Sequence, residues 1–416
     1  MAYVGCGLSA YSCGGSHGFG SQDTLVAAPC SLDNVLSREP LTRILYLRVA
    51  VVVNERTNKA KSALSRRKRG IPHVPPPSQK ELPLLTLPSH GGSIVHAEKL
   101  FGEPKQGWLD LSTAINPNAY PVPDILDSVW QKLPDNDLES AAADEALKFF
   151  KAEKKESLTL APGTQSVIQW LPWLRNPGTV GVIGPTYSEH ARAWQAAGHE
   201  VTVIPDLPDR GHFSVIVVTN PNNPDGKRRS RRDLLRLAEG QAQTGGLLVV
   251  DEAFAEVAPD LSIANEGGRK GLCVLRSFGK FFGLAGLRLG FALAHDELTY
   301  ELKTALGPWP VSGPALAICR QAFADTSWQN QALFDLNQSA ANMDTLIKRH
   351  ELIFLGGTPL FYLIAHAKAH ELYYHLGLNG VLTRAFDDQP GRLRFGMPKN
   401  EEEFDRFDDA LSRFTG

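Results

Sequence analysis

From Trp108 onward the chain alternates short, continuous apolar runs, rich in β-branched residues, with stretches of helical periodicity. Residues 179–183, 200–204, 213–219, 247–250, 273–277 and 289–293 are such runs, each bounded by Gly, Pro or polar residues, and they predict strands. Runs that do not alternate with polar residues suit a sheet covered on both faces. Helical stretches such as 189–197 and 230–244 fall between them. The order strand, helix, strand requires crossover connections, and with them a mainly parallel sheet. Past residue 306 the alternation weakens. A long helical pattern at 326–350 precedes strand-like residues near Leu360 and Leu393, which predicts a smaller C-terminal α+β domain.

The 416 residues, 43% of them hydrophobic, suffice for one large and one smaller domain. A formal net charge of -2 gives no overall pull toward nucleic acid or anionic membrane. The basic excess is confined to the start, where residues 1–90 hold 11 Lys and Arg against 5 Asp and Glu. Residues 1–85 mix Gly/Ser-rich, apolar, basic and Pro-rich pieces without sustained period and read as a mostly disordered extension. The five cysteines form neither a disulfide framework nor a zinc-site spacing. The apolar run 44–53 is interrupted by Arg48, falls short of the roughly 20 residues that span a bilayer, and precedes rather than follows the basic cluster Arg66-Arg67-Lys68-Arg69. No membrane or export segment is expected, and a cytoplasmic location fits best.

Polar residues follow the predicted strands: Asn223 in Asn220-Pro221-Asn222-Asn223-Pro224, Asp251 in Val250-Asp251-Glu252-Ala253-Phe254, and Lys280 in Ser277-Phe278-Gly279-Lys280. Ligands of open α/β sheets bind at the carboxyl ends of strands, so these side chains meet at one rim. Singly each motif is weak, since Asn-Pro reads as a turn and Asp-Glu as a helix cap. In this order, 28 and 29 residues apart, they resemble the fold-type I pyridoxal-phosphate (PLP) enzymes of the aspartate-aminotransferase fold, from about His90 to the C terminus.

The resemblance implies an N-terminal arm at 86–118, a large PLP-binding domain at 119–305, a small C-terminal domain at 306–416, and a homodimer. It implies Lys280 as the Schiff-base lysine that also moves protons, and Asp251 as the carboxylate paired with the pyridine nitrogen. Gly163, Thr164 and Gln165 open a predicted helix whose N–H groups suit a phosphate, joined by Ser277 and Arg288. Tyr187 stands where an aromatic residue stacks on the ring, His190 where a partner of the aspartate sits, and Asn223 where the ring hydroxyl is bound. Phe254 departs from the tyrosine many relatives carry there, leaving one donor fewer at the ring oxygen.

Several stretches are similar to the threonine-phosphate decarboxylases of cobalamin biosynthesis: His90-Gly91-Gly92, residues 109–117, 161–170 and 276–291, and Leu133-Pro134 where histidinol-phosphate aminotransferases usually show Tyr-Pro-Asp. That resemblance implies decarboxylation of L-threonine O-3-phosphate to aminopropanol phosphate. Arg394 matches its carboxylate-binding position and Arg384 a substrate-phosphate ligand, with His90, Gly91 and Asn116 completing the pocket. An aminotransferase acting on histidinol phosphate or another amino acid shares every cofactor residue and stays open. A PLP-binding DNA-associated regulator would need amphipathic helices that residues 1–85 do not show.

Overall fold

A computed structural model describes residues 90–208 and 212–415, all within the unit that runs from Leu84 to Gly416. The segment 1–85, and the expectation that it is disordered, lie outside the described residues. A seven-stranded sheet is built from β1 (Leu158–Ala161), β2 (Thr179–Ile183), β3 (Glu200–Ile204), β4 (Val215–Thr219), β5 (Leu247–Asp251), β6 (Leu272–Ser277) and β7 (Gly290–Ala294), in the order β1-β7-β6-β5-β4-β2-β3. Strands β2 to β6 are mutually parallel. Alternate residues of each strand enter different hydrophobic clusters: Val217, Val249 and Leu275 one, Val218, Val250 and Val274 the other. Both faces are therefore covered, which is why the strands read as unbroken apolar runs.

Strand β7 departs from the parallel pattern and runs antiparallel to both β1 and β6. The reason lies in the connection after β6, residues 278–289, which holds one 3-10 turn (Ala285–Leu287) and no crossover helix. The reversal has a functional result. Gly290 pairs with Ser277 and with Ala161, so the start of β7 meets the carboxyl ends of its neighbours. Strand β5 runs one residue beyond the apolar run, and Asp251 pairs in register with Thr219 and Leu275.

Among the helices that support this frame are α1 (Asn136–Phe150), α2 (Thr164–Trp170), α3 (Ser188–Ala196), α4 (Arg231–Thr244), α5 (Gly313–Ala324) and α6 (Thr326–Arg349). Side chains of Asp135, Ser230, Ser312 and Asp325 cap α1, α4, α5 and α6 by accepting backbone N–H bonds. A four-stranded antiparallel sheet follows, β8 (Ile353–Thr358), β9 (Phe361–Ala365), β10 (Arg384–Ala385) and β11 (Arg392–Gly396), in the order β10-β11-β9-β8. Its apolar side packs with Met343, Leu346 and Ile347 of α6. Near the start of the described chain, Leu109–Asp110 pairs parallel with Val381–Leu382. This short pairing lays residues 112–116 across the carboxyl rim of the large sheet.

Candidate active site

The rim encloses a cavity of about 310 Å³. Lys280 reaches it from a loop held from below by aromatic residues: Phe278, Phe281 and Phe282 are each no more than 1% exposed, and the Phe278 and Phe282 rings stack at 4.5 Å. Burying three phenyl groups around Lys280 turns the lysine the other way. Its ammonium pays for that seat in basicity: burial, then the nearby Arg394 cation, bring its pKa down to about 8, although Asp251 opposes them. Its Nζ lies 6.0 Å from the centre of the Phe254 ring.

Asp251 is 4% exposed. One carboxylate oxygen accepts from Ala253 N–H at 3.1 Å, and the other lies 2.8 Å from Nε2 of His190, which α3 presents. Tyr187, the residue before α3, donates its hydroxyl to Gln165 Oε1 at 3.1 Å. Burial pushes its pKa up to about 12, so it stays a neutral donor. Its ring lies 5.9 Å from that of His90, tilted; His90 in turn sits 3.4 Å from Glu189.

At the opposite end Gly163 precedes α2 with φ +80°, and a Cβ there would meet the Arg288 guanidinium at 2.7 Å. Only glycine permits both that backbone conformation and that approach. Gly163, Thr164, Ser277 and Arg288 all line the cavity.

Arg394 on β11 is 7% exposed. It donates to Asn223 Oδ1 at 2.6 Å and to the Ser112 carbonyl at 2.9 Å, while its buried Nε has no partner among the described residues. No carboxylate pairs with it there either. Burial and the neighbouring Arg384 lower its pKa to about 10, which leaves it a cation at neutral pH. Arg384, on β10, lines the same cavity and stands 5.2 Å from the Phe386 ring. Gly91 approaches so closely that a Cβ would overlap the Ser112 carbonyl at 2.2 Å.

Of the residues singled out from the sequence, two lie outside the lining. His190 stands behind Asp251. Asn116 does not reach the cavity: its side chain donates to the Phe281 carbonyl at 2.9 Å, and its backbone N–H to that of Lys280. It fastens the lysine loop to the N-terminal arm. The cavity also takes in Ser112, Thr186, Thr219, Phe386, Asp388 and Gln389, which the sequence reading missed. Thr186 and Thr219 hydrogen-bond each other at 2.9 Å across two strand ends. Their one sequence signal is position, immediately beside Tyr187 and the Asn-Pro motif.

An amine of depressed basicity, a carboxylate backed by histidine and a glycine–arginine cradle fit an aldehyde, a ring nitrogen and a phosphate in turn, and on this sheet that combination defines a fold-type I PLP enzyme. The chain belongs to the aminotransferase class I and II family, whose model matches residues 124–411. It is 41% identical over 330 residues to a threonine-phosphate decarboxylase of Pseudomonas aeruginosa, covering 78% of this chain and 97% of that one. To a threonine-phosphate decarboxylase of a Sinorhizobium species it is 40% identical over 331 residues, with the same coverage. Among solved structures, histidinol-phosphate aminotransferase from Sinorhizobium meliloti in complex with pyridoxal-5'-phosphate shares the fold at a TM-score of 0.66 and 17% identity, over 80% of this chain and 98% of that one.

Proposed function

We infer that this chain decarboxylates L-threonine O-3-phosphate to aminopropanol phosphate, a step of cobalamin biosynthesis, with PLP held on Lys280. The observation that carries this reading is Arg394, a buried cation whose hydrogen bonds among the described residues go to the Asn223 amide and the Ser112 carbonyl and not to a carboxylate, sharing a cavity with a second arginine, Arg384. Burying such a charge is costly unless an anion completes it. Two arginines suit a substrate that carries a carboxylate and a phosphate, and the two relatives at about 40% identity bear the matching activity in their names.

Bound PLP supplies an electron sink for the pair that a broken bond leaves at Cα. The residues do the rest. Asp251, oriented by His190, holds a proton on the pyridine nitrogen, and Tyr187 covers the ring. Gly163, Thr164, Ser277 and Arg288 hold the cofactor phosphate. Asn223, whose Oδ1 is engaged by Arg394, has its Nδ2 hydrogens left for the ring hydroxyl. Arg394 grips the substrate carboxylate and Arg384 its phosphate, with His90 and Gly91 at the same end. Gripped at both ends, the substrate would be held in one orientation, and that orientation selects which bond at Cα breaks. CO₂ leaves, its bonding pair stays at Cα, and Lys280 Nζ returns a proton to that carbon.

A homodimer and a cytoplasmic location belong to the same proposal. The first is supported by the exposed apolar residues Val122, Leu126, Trp130 and Leu133 ahead of α1. No described helix is long and apolar enough to cross a membrane.

The test is to incubate PLP-loaded protein with L-threonine O-3-phosphate, with and without a keto acid, following CO₂ and amine. CO₂ release independent of the keto acid is expected, together with a folded but inactive Lys280→Ala variant. Amino transfer without CO₂ would move the chain to the aminotransferases.

A further inference from the structure

Arg394 is held by more than its two hydrogen bonds. Its guanidinium carbon lies over the Phe361 ring, 5.5 Å from the ring centre. The small sheet makes this contact. Leu363 on β9 pairs with Arg394 on β11, and Phe361, two residues before Leu363, presents its side chain to the same face of the sheet, diagonally across from Arg394. Phe361 is 0% exposed.

A second ring stands against the first. Phe254, which follows β5 in the large sheet and is also buried, meets Phe361 edge to face, with ring centres 5.0 Å apart and planes at 67°. This is a favoured geometry for two aromatic rings. Because Phe254 is also the ring that Lys280 Nζ approaches at 6.0 Å, one aromatic pair borders both buried cations of the site and joins the sheets that carry them. Leucine or methionine would satisfy hydrophobic burial at position 361 equally well, but neither offers the negative face of a ring, whose attraction for a cation grows when the pair is shielded from water.

The consequence lies in how a guanidinium reads an anion. It binds a carboxylate in its own plane through two parallel N–H bonds, so the tilt of that plane decides where the carboxylate sits. Asn223 and the Ser112 carbonyl each engage one terminal nitrogen of Arg394. Two such contacts leave the group free to rock about the line between them, and a ring against its face removes that freedom.

We propose that Phe361, backed by Phe254, is a positioning residue for recognition of the substrate carboxylate, fixing the plane of the Arg394 guanidinium before the substrate arrives. The proposal rests on the reading of Arg394 as the ligand of that carboxylate. A group already oriented loses less freedom on binding, so loss of the ring weakens only those ligands that bring a carboxylate.

The experiment uses full-length, PLP-loaded enzyme and two calorimetric dissociation constants. L-Threonine keeps the carboxylate and lacks the phosphate, whereas aminopropanol phosphate keeps the phosphate and lacks the carboxylate. Phe361→Leu, and Phe361→Met with its more adaptable chain, are each expected to weaken L-threonine about fivefold, equivalent to about 1 kcal/mol, and to raise KM for L-threonine O-3-phosphate by a similar factor. Aminopropanol phosphate stays within about twofold of its wild-type value. Phe361→Tyr keeps the ring face and brings L-threonine back to within about twofold of wild type. In an Arg394→Met background Phe361→Leu adds nothing further, because the two residues act as a unit. Unchanged L-threonine binding in both ringless variants overturns the proposal, and so does an equal weakening of aminopropanol phosphate, which marks a general loss of packing. If Arg394→Met itself leaves L-threonine binding unchanged, the assignment of Arg394 fails, and that result is distinct from a failure of the Phe361 variants alone.

Discussion

A lysine flanked by two arginines holds its proton weakly, and at Lys280 this decides when the residue can act. Desolvation comes first, then the Arg394 cation, with Arg288 adding to both and Asp251 opposing, and the pKa falls to about 8. The neutral amine is the nucleophile. At pH 7 about a tenth of Lys280 is neutral, against about one part in 2,500 for a lysine at the ordinary value of about 10.4. Capture of PLP by apoenzyme should therefore accelerate about tenfold between pH 6 and 7, bend near pH 8 and level off above it. Arg394→Met removes one of the two cations, so the bend should move to higher pH. Stopped-flow absorbance from pH 6 to 9.5 reads both; a wild-type rate still climbing tenfold per unit at pH 9.5 would show an ordinary lysine. Asn223, Asp251 and Lys280 could be singled out in the sequence because each carries a local motif, and the structure brings all three to one cavity. Thr186 and Thr219 carry none of their own, since their hydrogen bond exists only once two strand ends have met.

The elements that bear Asp251 and Lys280 are tied together by a buried ion cluster just below the rim. Arg276 on β6 donates to Glu252 at 3.0 Å and to Glu256 at 2.7 Å, and Ser262 and Ile263 N–H complete the shell of Glu252. The cluster clamps the loop after β5 onto β6. Removing the cation strands two carboxylates in the interior, so Arg276→Met should destabilise the fold by about 3–5 kcal/mol. Urea unfolding of apoenzyme at pH 7.5 checks this. The deficit should shrink toward pH 5, as the stranded carboxylates take up protons that the unfolded state binds less readily. A deficit independent of pH would place the loss in packing instead. This cluster, like the strand β1, escapes a reading of pattern alone: β1 is four residues long and runs straight into the Gly163 turn, and the partners of Arg276 lie 14 to 24 residues away. The strands at 179–183 and 200–204, by contrast, stand where the apolar runs predict them. The antiparallel direction of β7 was not legible, because periodicity reports burial and says nothing of the way a strand runs.

At the scale of the whole molecule, the region between the N-terminal arm and α1 carries apolar surface that the described residues leave uncovered. Val122, Leu126, Trp130 and Leu133 are 59%, 75%, 65% and 66% exposed within one 12-residue stretch. Scattered exposed apolar residues are ordinary, but four large ones in a single short segment mark a contact surface. A second copy of this chain is the partner the family resemblance implies. A symmetric contact doubles the effect of each residue, because both copies bury the same patch. Leu126→Glu combined with Trp130→Glu places four carboxylates at such an interface, two from each copy, and should convert a dimer into a monomer in sedimentation at micromolar concentration. The local fold should persist, since both positions are exposed within the chain and their substitution leaves no cavity. A wild-type protein that already sediments as a monomer would remove the dimer from the proposal and leave the assignments of Lys280, Asp251 and Arg394 untouched.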